Sequence, residues 1–255
     1  MLGELIGRIR ALDVSTAIAP NDLMYHPDYP GHYFGVGRSA IRVITSALLA
    51  RLEYFCGEEE IASILDFGCG HGRVARFLRA AFPRSDIVVC DYDPTGTGWC
   101  VDNFGCRAVD DPPPESFDLV WLGSVFTHLP ATIAEHVLSK AAGALRPNGM
   151  LLFTSQGRYS DLWHAVERDN QPYGITRDLW EQIVTGLHDH GYGYADYPGQ
   201  KDYGVTMIHP TWFQQRMLAS RDFVQILFQE KGWDNHQDVH GFVRLNILDA
   251  RKGPL

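Results

Sequence analysis

The chain has 255 residues, 45% of them hydrophobic, and a formal net charge of −9. That size suffices for one sizeable core, an α/β domain carrying an insertion, while the negative charge without a lysine- and arginine-rich patch argues against a grip on nucleic-acid phosphates. No apolar stretch is long enough to span a bilayer, and the opening MLGELIGRIR lacks the apolar core and cleavage site of a signal peptide, so a cytoplasmic protein is expected.

Residues 21–37, NDLMYHPDYPGHYFGVG, are crowded with Pro, Gly, Tyr and His and show no period, as in an irregular strap. From Gly37 to Phe55 the residues Ile41, Ile44, Leu48, Leu49 and Leu52 recur at three- and four-residue steps, which predicts an amphipathic helix against one face of a sheet. Then comes ILDFGCGHGR, residues 64–73. A strand ending in Ile64 and Leu65 would deliver Asp66 to the tip of a parallel sheet, and Gly68, Gly70 and Gly72 would turn the chain into a helix beginning near Arg73. Such a turn cradles nucleotides, because glycine tolerates positive φ and leaves no side chain between backbone and ligand. A dinucleotide fingerprint starting from Gly68 and Gly70 needs a third small residue where Arg73 stands, so the NAD pattern fails.

The next segments extend the pattern. SDIVVCDYDP, residues 85–94, is an apolar strand ending in Asp91, 25 residues beyond Asp66, where a Rossmann sheet presents a carboxylate to ribose hydroxyls. Asp91 and Asp93 also suit a plain turn before Pro94. FDLVWLGSVFTHLP, residues 117–130, gives a fourth strand, a polar turn and a helix, and LRPNGMLLFT, residues 145–154, gives a Pro-Asn-Gly turn into a fifth strand. The Asp-x-Gly-x-Gly-x-Gly run resembles motif I of the class I S-adenosylmethionine-dependent methyltransferases, of the type 11/12-like kind, and the later segments match that family in order over residues 60–156.

The resemblance implies a Rossmann-like α/β fold: a seven-stranded, mostly parallel sheet with helices on both faces, bound to S-adenosylmethionine and releasing S-adenosylhomocysteine. It implies that Phe67, Gly68, Cys69, Gly70 and Gly72 pass beneath the methionyl part, that Asp66 organises this loop or meets the cofactor's amino group, and that Asp91 takes the ribose, with Tyr92 against adenine. Arg38 or Arg73 is the candidate for the cofactor carboxylate, since arginine offers a planar fork. Asp110 or Asp111 is placed where the family reads the adenine amine, although DDPPPES departs from the usual pattern there. Ser124 lines the same cavity. The family's amino-terminal arm folds over cofactor and acceptor, making Tyr25, Tyr33 and Phe34 candidates for a lid, against the alternative of a strap packed on the domain.

After the fifth strand, residues 157–221 read as an insertion shaping the acceptor pocket. Helices are predicted at Asp161–Arg168 and at Arg177–His190, the second capped by Thr176, and a hairpin at Gly191–Tyr197 and Tyr203–His209 around Pro198-Gly199. Its aromatics, Tyr159, Trp163 and Tyr203 among them, are candidates for stacking on an acceptor or for the insertion's own core. The last strands are placed at Asp222–Phe228 and Val239–Leu248. The domain organisation expected is 1–58 arm and covering helix, 59–156 cofactor core, 157–221 cap and 222–255 closing strands. Five cysteines (56, 69, 90, 100 and 106) with no C-x-x-C pair read as reduced buried thiols, and no metal-ligand spacing appears among the eleven histidines.

Methyl transfer is an in-line displacement in which alignment does most of the work. A hydroxyl acceptor needs a base, and histidine has a suitable pKa. His128, in the turn after the fourth strand, is the first candidate, with His209 and His236 behind it. His128 also suits a purely structural role in its turn. The expected acceptor is a small molecule, a sugar or glycan intermediate or a natural product, methylated on oxygen in preference to nitrogen. A non-methylating enzyme on the same fold, or a non-catalytic S-adenosylmethionine-binding protein, is the alternative.

Overall fold

The structure, a computed structural model, describes residues 2–9, 11–55, 60–167 and 172–246. A short helix α1 (Leu2–Ile9) and an irregular strap lead into α2 (Pro30–Phe55), which starts seven residues before the periodic stretch. Proline presets the φ of a first helical turn, and Gly37 serves a close approach. A Cβ there would lie 2.5 Å from the Arg73 carbonyl oxygen and from the Phe77 ring. Half of the supposed irregular segment is therefore helix, and of its glycines Gly37 serves contact with a neighbour while Gly31 and Gly35 stand in open space.

The core alternates strand and helix: β1 (Ser63–Phe67), α3 (Ala75–Ala81), β2 (Asp86–Cys90), α4 (Pro94–Phe104), β3 (Arg107–Ala108), β4 (Phe117–Leu122), α5 (Ala131–Ala144) and β5 (Leu145–Ser155). The insertion contributes α6 (Arg158–Glu167), a 3₁₀ turn at Pro172–Gly174, α7 (Arg177–His190), a hairpin of β6 (Tyr192–Asp196) and β7 (Gly204–Ile208), and α8 (Pro210–Met217). Strands β8 (Phe223–Trp233) and β9 (Gln237–Arg244) close the sheet. Its order is β3-β2-β1-β4-β5-β9-β8, with the first five strands parallel, β9 antiparallel to β5 and β8 antiparallel to β9. Chain order reverses between β1 and β4, so a crevice opens at their carboxyl ends, where open α/β sheets take ligands.

Strands buried on both faces need apolar residues at successive positions. Ile64, Val89, Trp121 and Leu152 face a core closed by α2, α3 and α4, whereas Leu65, Val88, Val120 and Phe153 face one closed by α5 and α8. The insertion has a third core of Trp180, Ile183, Leu187, Val205 and Met207. Thr176 accepts from the Leu179 N–H at the start of α7, and Gly191 ends it in the left-handed region at φ 72°.

Several boundaries move. Helix α3 begins at Ala75, two residues past Arg73, because the glycine loop spends those residues completing its turn. The first closing strand runs on to Trp233, and the second starts earlier, at Gln237; residues 247–248 of its expected end, Arg168 of the expected α6 and Cys56 lie outside the described residues. Helix α8 was not foreseen. Its signal was there: His209 caps the helix and Pro210 occupies its first turn. Among the described residues no helix is long and apolar enough to cross a membrane.

Candidate active site

Strand β1 ends by placing Asp66 under the glycine loop, 2% exposed. Gly68, Gly70 and Gly72 all have positive φ, and a Cβ on Gly68 would collide with the Val125 side chain of the turn after β4. The loop is tied to β2: the Gly70 N–H donates to Asp91 Oδ2 at 2.8 Å, and the Asp93 N–H to Asp91 Oδ1 at 3.0 Å. Each Asp91 oxygen keeps a further acceptor site for a hydroxyl. Asp66 Oδ2, in contrast, is buried with no hydrogen-bond donor. Burial first, then repulsion from Asp91, pushes its pKa up to about 7, with Arg73 opposing. Arg73 lies over the Trp233 ring, 5.7 Å from its centre, and hydrogen-bonds no described residue. A donorless carboxyl and a half-buried guanidinium without a carboxylate thus share one loop. Arg38 sits on the exposed face of α2, so of the two arginine candidates the loop holds Arg73.

The strap reaches this loop through Arg76, which is 1% exposed. Its Nε donates to the Gly72 carbonyl (3.0 Å), Nη1 to the carbonyls of Ser15 (3.1 Å) and Ala17 (2.7 Å), and Nη2 to Tyr33 Oη (3.2 Å). Tyr33 in turn donates to Asp22 at 2.6 Å. Tyr33 is therefore a buried part of this network and not a lid, Phe34 packs half-buried against the same core, and Tyr25 rests edge-on against Tyr33. What approaches the cradle is Asn21, whose amide donates to Thr95 Oγ1, itself 3.4 Å from His71 Nε2. Of the adenine candidates, Asp111 is paired with Lys140 at 2.8 Å, which leaves Asp110. Tyr92 is an 88% exposed ring at the rim.

Over the carboxyl ends of β4 and β5 the insertion docks by backbone pairing. The N–H groups of Gly204, Thr206 and Ile208 donate to the carbonyls of His128, Thr127 and Gln156 at 2.8–3.0 Å. His128 Nδ1 donates to the Gly204 carbonyl at 2.9 Å, its ring stacks on Tyr203 with centres 4.9 Å apart, and Tyr203 leads on to Tyr92 at 6.3 Å. Burial lowers the His128 pKa, partly offset by the Gly204 bond, so the imidazole is neutral at pH 7. Donation from Nδ1 puts the lone pair on Nε2, which has no described partner. His209 instead caps α8, accepting from the Thr211 N–H, and His236 bonds Tyr173 Oη at 2.8 Å in a separate group with Tyr159. Asp238 accepts from the Lys231 N–H. Trp163 is nearly half exposed on α6, against Tyr159. Ser124, at φ 63°, joins Thr127, Thr154 and Gln237 in a hydrogen-bonded group; the last two carried no recognisable signal in the sequence. A separate groove of about 510 Å³ lies between α5 and α8, towards the amino end of the strands.

Residues 65–151 match the family model of a methyltransferase domain. Over that stretch the chain is similar to a methyltransferase domain, and its fold is that of the class I methyltransferases. Among curated proteins it is 32% identical over 126 residues to human N-terminal Xaa-Pro-Lys N-methyltransferase 1, covering 45% of this chain and 55% of that protein. To the Danio rerio protein of the same name it is 29% identical over 143 residues, covering 50% and 62%. The chain thus spans little more than half the length of these relatives. Two solved structures share the fold: an S-adenosylmethionine-dependent methyltransferase from Anabaena variabilis (15% identity, 84% of this chain and 87% of that one, TM-score 0.52) and one from Methanosarcina mazei (14%, 76% and 97%, 0.50).

The Rossmann-like core fits S-adenosylmethionine on its own geometry. Asp66 Oδ2 needs a donor and suits an ammonium, Arg73 needs an anion and suits a carboxylate, and Asp91 retains acceptor capacity for ribose hydroxyls.

Proposed function

We propose that this chain is a cytoplasmic methyltransferase acting on the oxygen of a small-molecule acceptor. The observation that carries the reading is the pairing of a buried, donorless Asp66 carboxyl with an unbonded Arg73 at one glycine loop. S-Adenosylmethionine, when bound, supplies a methyl group already activated by its sulfonium. Asp66 and Arg73 would then hold opposite charges of one amino-acid moiety, and Asp91 the ribose.

His128 supplies the base. Its Nδ1–H is committed to the Gly204 carbonyl, so Nε2 can accept a proton from an acceptor hydroxyl, and its low pKa keeps it ready at neutral pH. Tyr203 and Tyr92 form an aromatic edge beside it that suits a sugar ring or a planar natural product. A second reading, transfer to a protein's amino-terminal nitrogen, is favoured by the likeness to the N-terminal Xaa-Pro-Lys enzymes; the same neutral imidazole would accept the ammonium proton.

Calorimetric titration with S-adenosylmethionine, S-adenosylhomocysteine and NAD comes first, followed by transfer from a tritiated methyl donor to hydroxylated small molecules and to a peptide beginning Xaa-Pro-Lys. Binding of the first two, none of NAD, and label on the small molecules supports the reading. Label on the peptide alone moves the acceptor to nitrogen. Binding without transfer across the panel favours a non-methylating role. His128→Ala is expected to slow turnover and spare cofactor binding.

A further inference from the structure

The turn after β4 is held by a closed ring of hydrogen bonds that reaches into the last strand. The Ser124 N–H donates to Thr154 Oγ1 (2.8 Å), Thr154 Oγ1 donates to Gln237 Oε1 (2.6 Å), and Gln237 Nε2 donates to Ser124 Oγ (2.9 Å). Thr127 closes a second loop, donating to the Ser124 carbonyl at 2.7 Å and lying 3.0 Å from Ser124 Oγ. Each hydroxyl has a single proton. Thr127 gives its own to the carbonyl, so Ser124 Oγ must donate to Thr127 and can only accept from Gln237. The amide therefore points its nitrogen at Ser124, and each hydroxyl proton in the ring has one destination.

Ser124 needs such support because its φ of 63° is unfavourable for a residue with a Cβ. The turn it begins has two neighbours that matter: Val125 fills the space beside Gly68, and the Val125 carbonyl accepts from the His128 N–H at 3.3 Å. Gln237 is itself fixed from behind. The turn that delivers it is pinned to α2 by Trp233 Nε1 donating to the Val36 carbonyl (3.1 Å) and by the Asp234 N–H donating to Ser39 Oγ (3.0 Å).

We propose that Gln237 is a positioning residue of the active site, holding the Ser124–His128 turn so that Val125 buttresses the cofactor loop while His128 keeps its Nδ1–H, Nε2-lone-pair form. This rests on the methyltransferase reading, with no contact between Gln237 and either ligand required.

The test uses the full chain with Gln237→Leu, which removes both polar arms at similar size, Gln237→Glu, which keeps an acceptor for Thr154 and removes the donor to Ser124, and Thr127→Val. The readouts are the ¹⁵N signals of the His128 imidazole, assigned by their loss in His128→Gln, the affinity for S-adenosylmethionine, and the melting temperature. The expected result is the same for all three variants. The His128 signals shift from a fixed Nδ1–H form to averaged tautomers, its titration midpoint rises, and cofactor affinity falls by about 5- to 30-fold with melting within about 5 °C of wild type. Unchanged His128 signals and affinity overturn the proposal, as does a loss of affinity that merely tracks a collapse in melting temperature. Should the wild-type chain fail to bind S-adenosylmethionine, the methyltransferase reading falls, while the imidazole signals still decide whether Gln237 sets the turn.

Discussion

The cofactor cradle and the cap over it are assembled by opposite means. The cradle is made of main chain: glycines at positive φ, N–H groups aimed at Asp91, and a carbonyl at Gly72 gripped by Arg76. The cap is a preformed hairpin with a core of its own, laid against the β4 and β5 ends through three backbone hydrogen bonds and a few side-chain ones. A backbone-built site is rigid and chemically general, so it suits a cofactor that does not change. A docked module can vary its rings without disturbing the loop beneath, which suits the acceptor contact proposed for it.

Disabling the cradle should therefore damage the whole molecule, and disabling the cap only its local order. The largest effect is expected from Arg76→Met, which strips four acceptors, two of them buried, of their donor and should cost about 3–5 kcal/mol, measured by urea unfolding; a change under 1 kcal/mol would dissolve the link between strap and loop. Next, Asp91→Ala should weaken S-adenosylmethionine binding by about 1–3 kcal/mol through lost charge-assisted hydrogen bonds, read by calorimetry, and an unaltered affinity would take the ribose role away from Asp91. Cofactor affinity should also depend on pH. With the Asp66 pKa near 7 in the free protein, the carboxyl is protonated below that value, and binding an ammonium requires the carboxylate. Affinity should therefore rise as pH increases through about 5.5 to 7, by at most about tenfold per unit, and Asp66→Asn should flatten the curve. By the same sign, the unliganded protein loses Asp66's contribution to stability as pH rises towards 7. The smallest effect belongs to the cap. Thr206→Val removes the 2.8 Å bond to the Leu129 carbonyl, which still accepts from Tyr192 Oη, and should cost about 1 kcal/mol. Faster hydrogen exchange at Gly204, Thr206 and Ile208 with unchanged cofactor affinity would sharpen the contrast; a matching fall in affinity would break it.

The same division explains what the sequence disclosed. Asp66, the three glycines and Asp91 were legible because their spacing is dictated by local backbone geometry, and the Arg177–His190 helix because its cap and terminal glycine are adjacent in sequence. For Tyr33 the sequence leaves lid and packed strap open, because its partners, Asp22 and Arg76, include one 43 residues away. Gln237 gave no sign, being 113 residues from Ser124. Among the histidines, the sequence ranks His128 ahead of His209 only by its place after the fourth strand. Only their partners separate a helix cap from a ring with an open nitrogen. Periodicity missed the first turns of α2 because Pro30, Gly31 and Gly35 read as breakers, whereas proline presets a first helical turn and both glycines are accommodated in the helix.

The attachment of the strap to Arg76 bears on how the protein is handled at the bench. Residues 11–29 have the look of a dispensable leader, the kind of segment removed to obtain a tidier fragment for crystallisation. Taking away Ser15 and Ala17 would leave a buried guanidinium short of two acceptors one turn from the glycine loop, and taking away Asp22 would leave the Tyr33 hydroxyl without its own. A shortened protein that failed to bind S-adenosylmethionine would then report the surgery, and the intact chain would be misjudged.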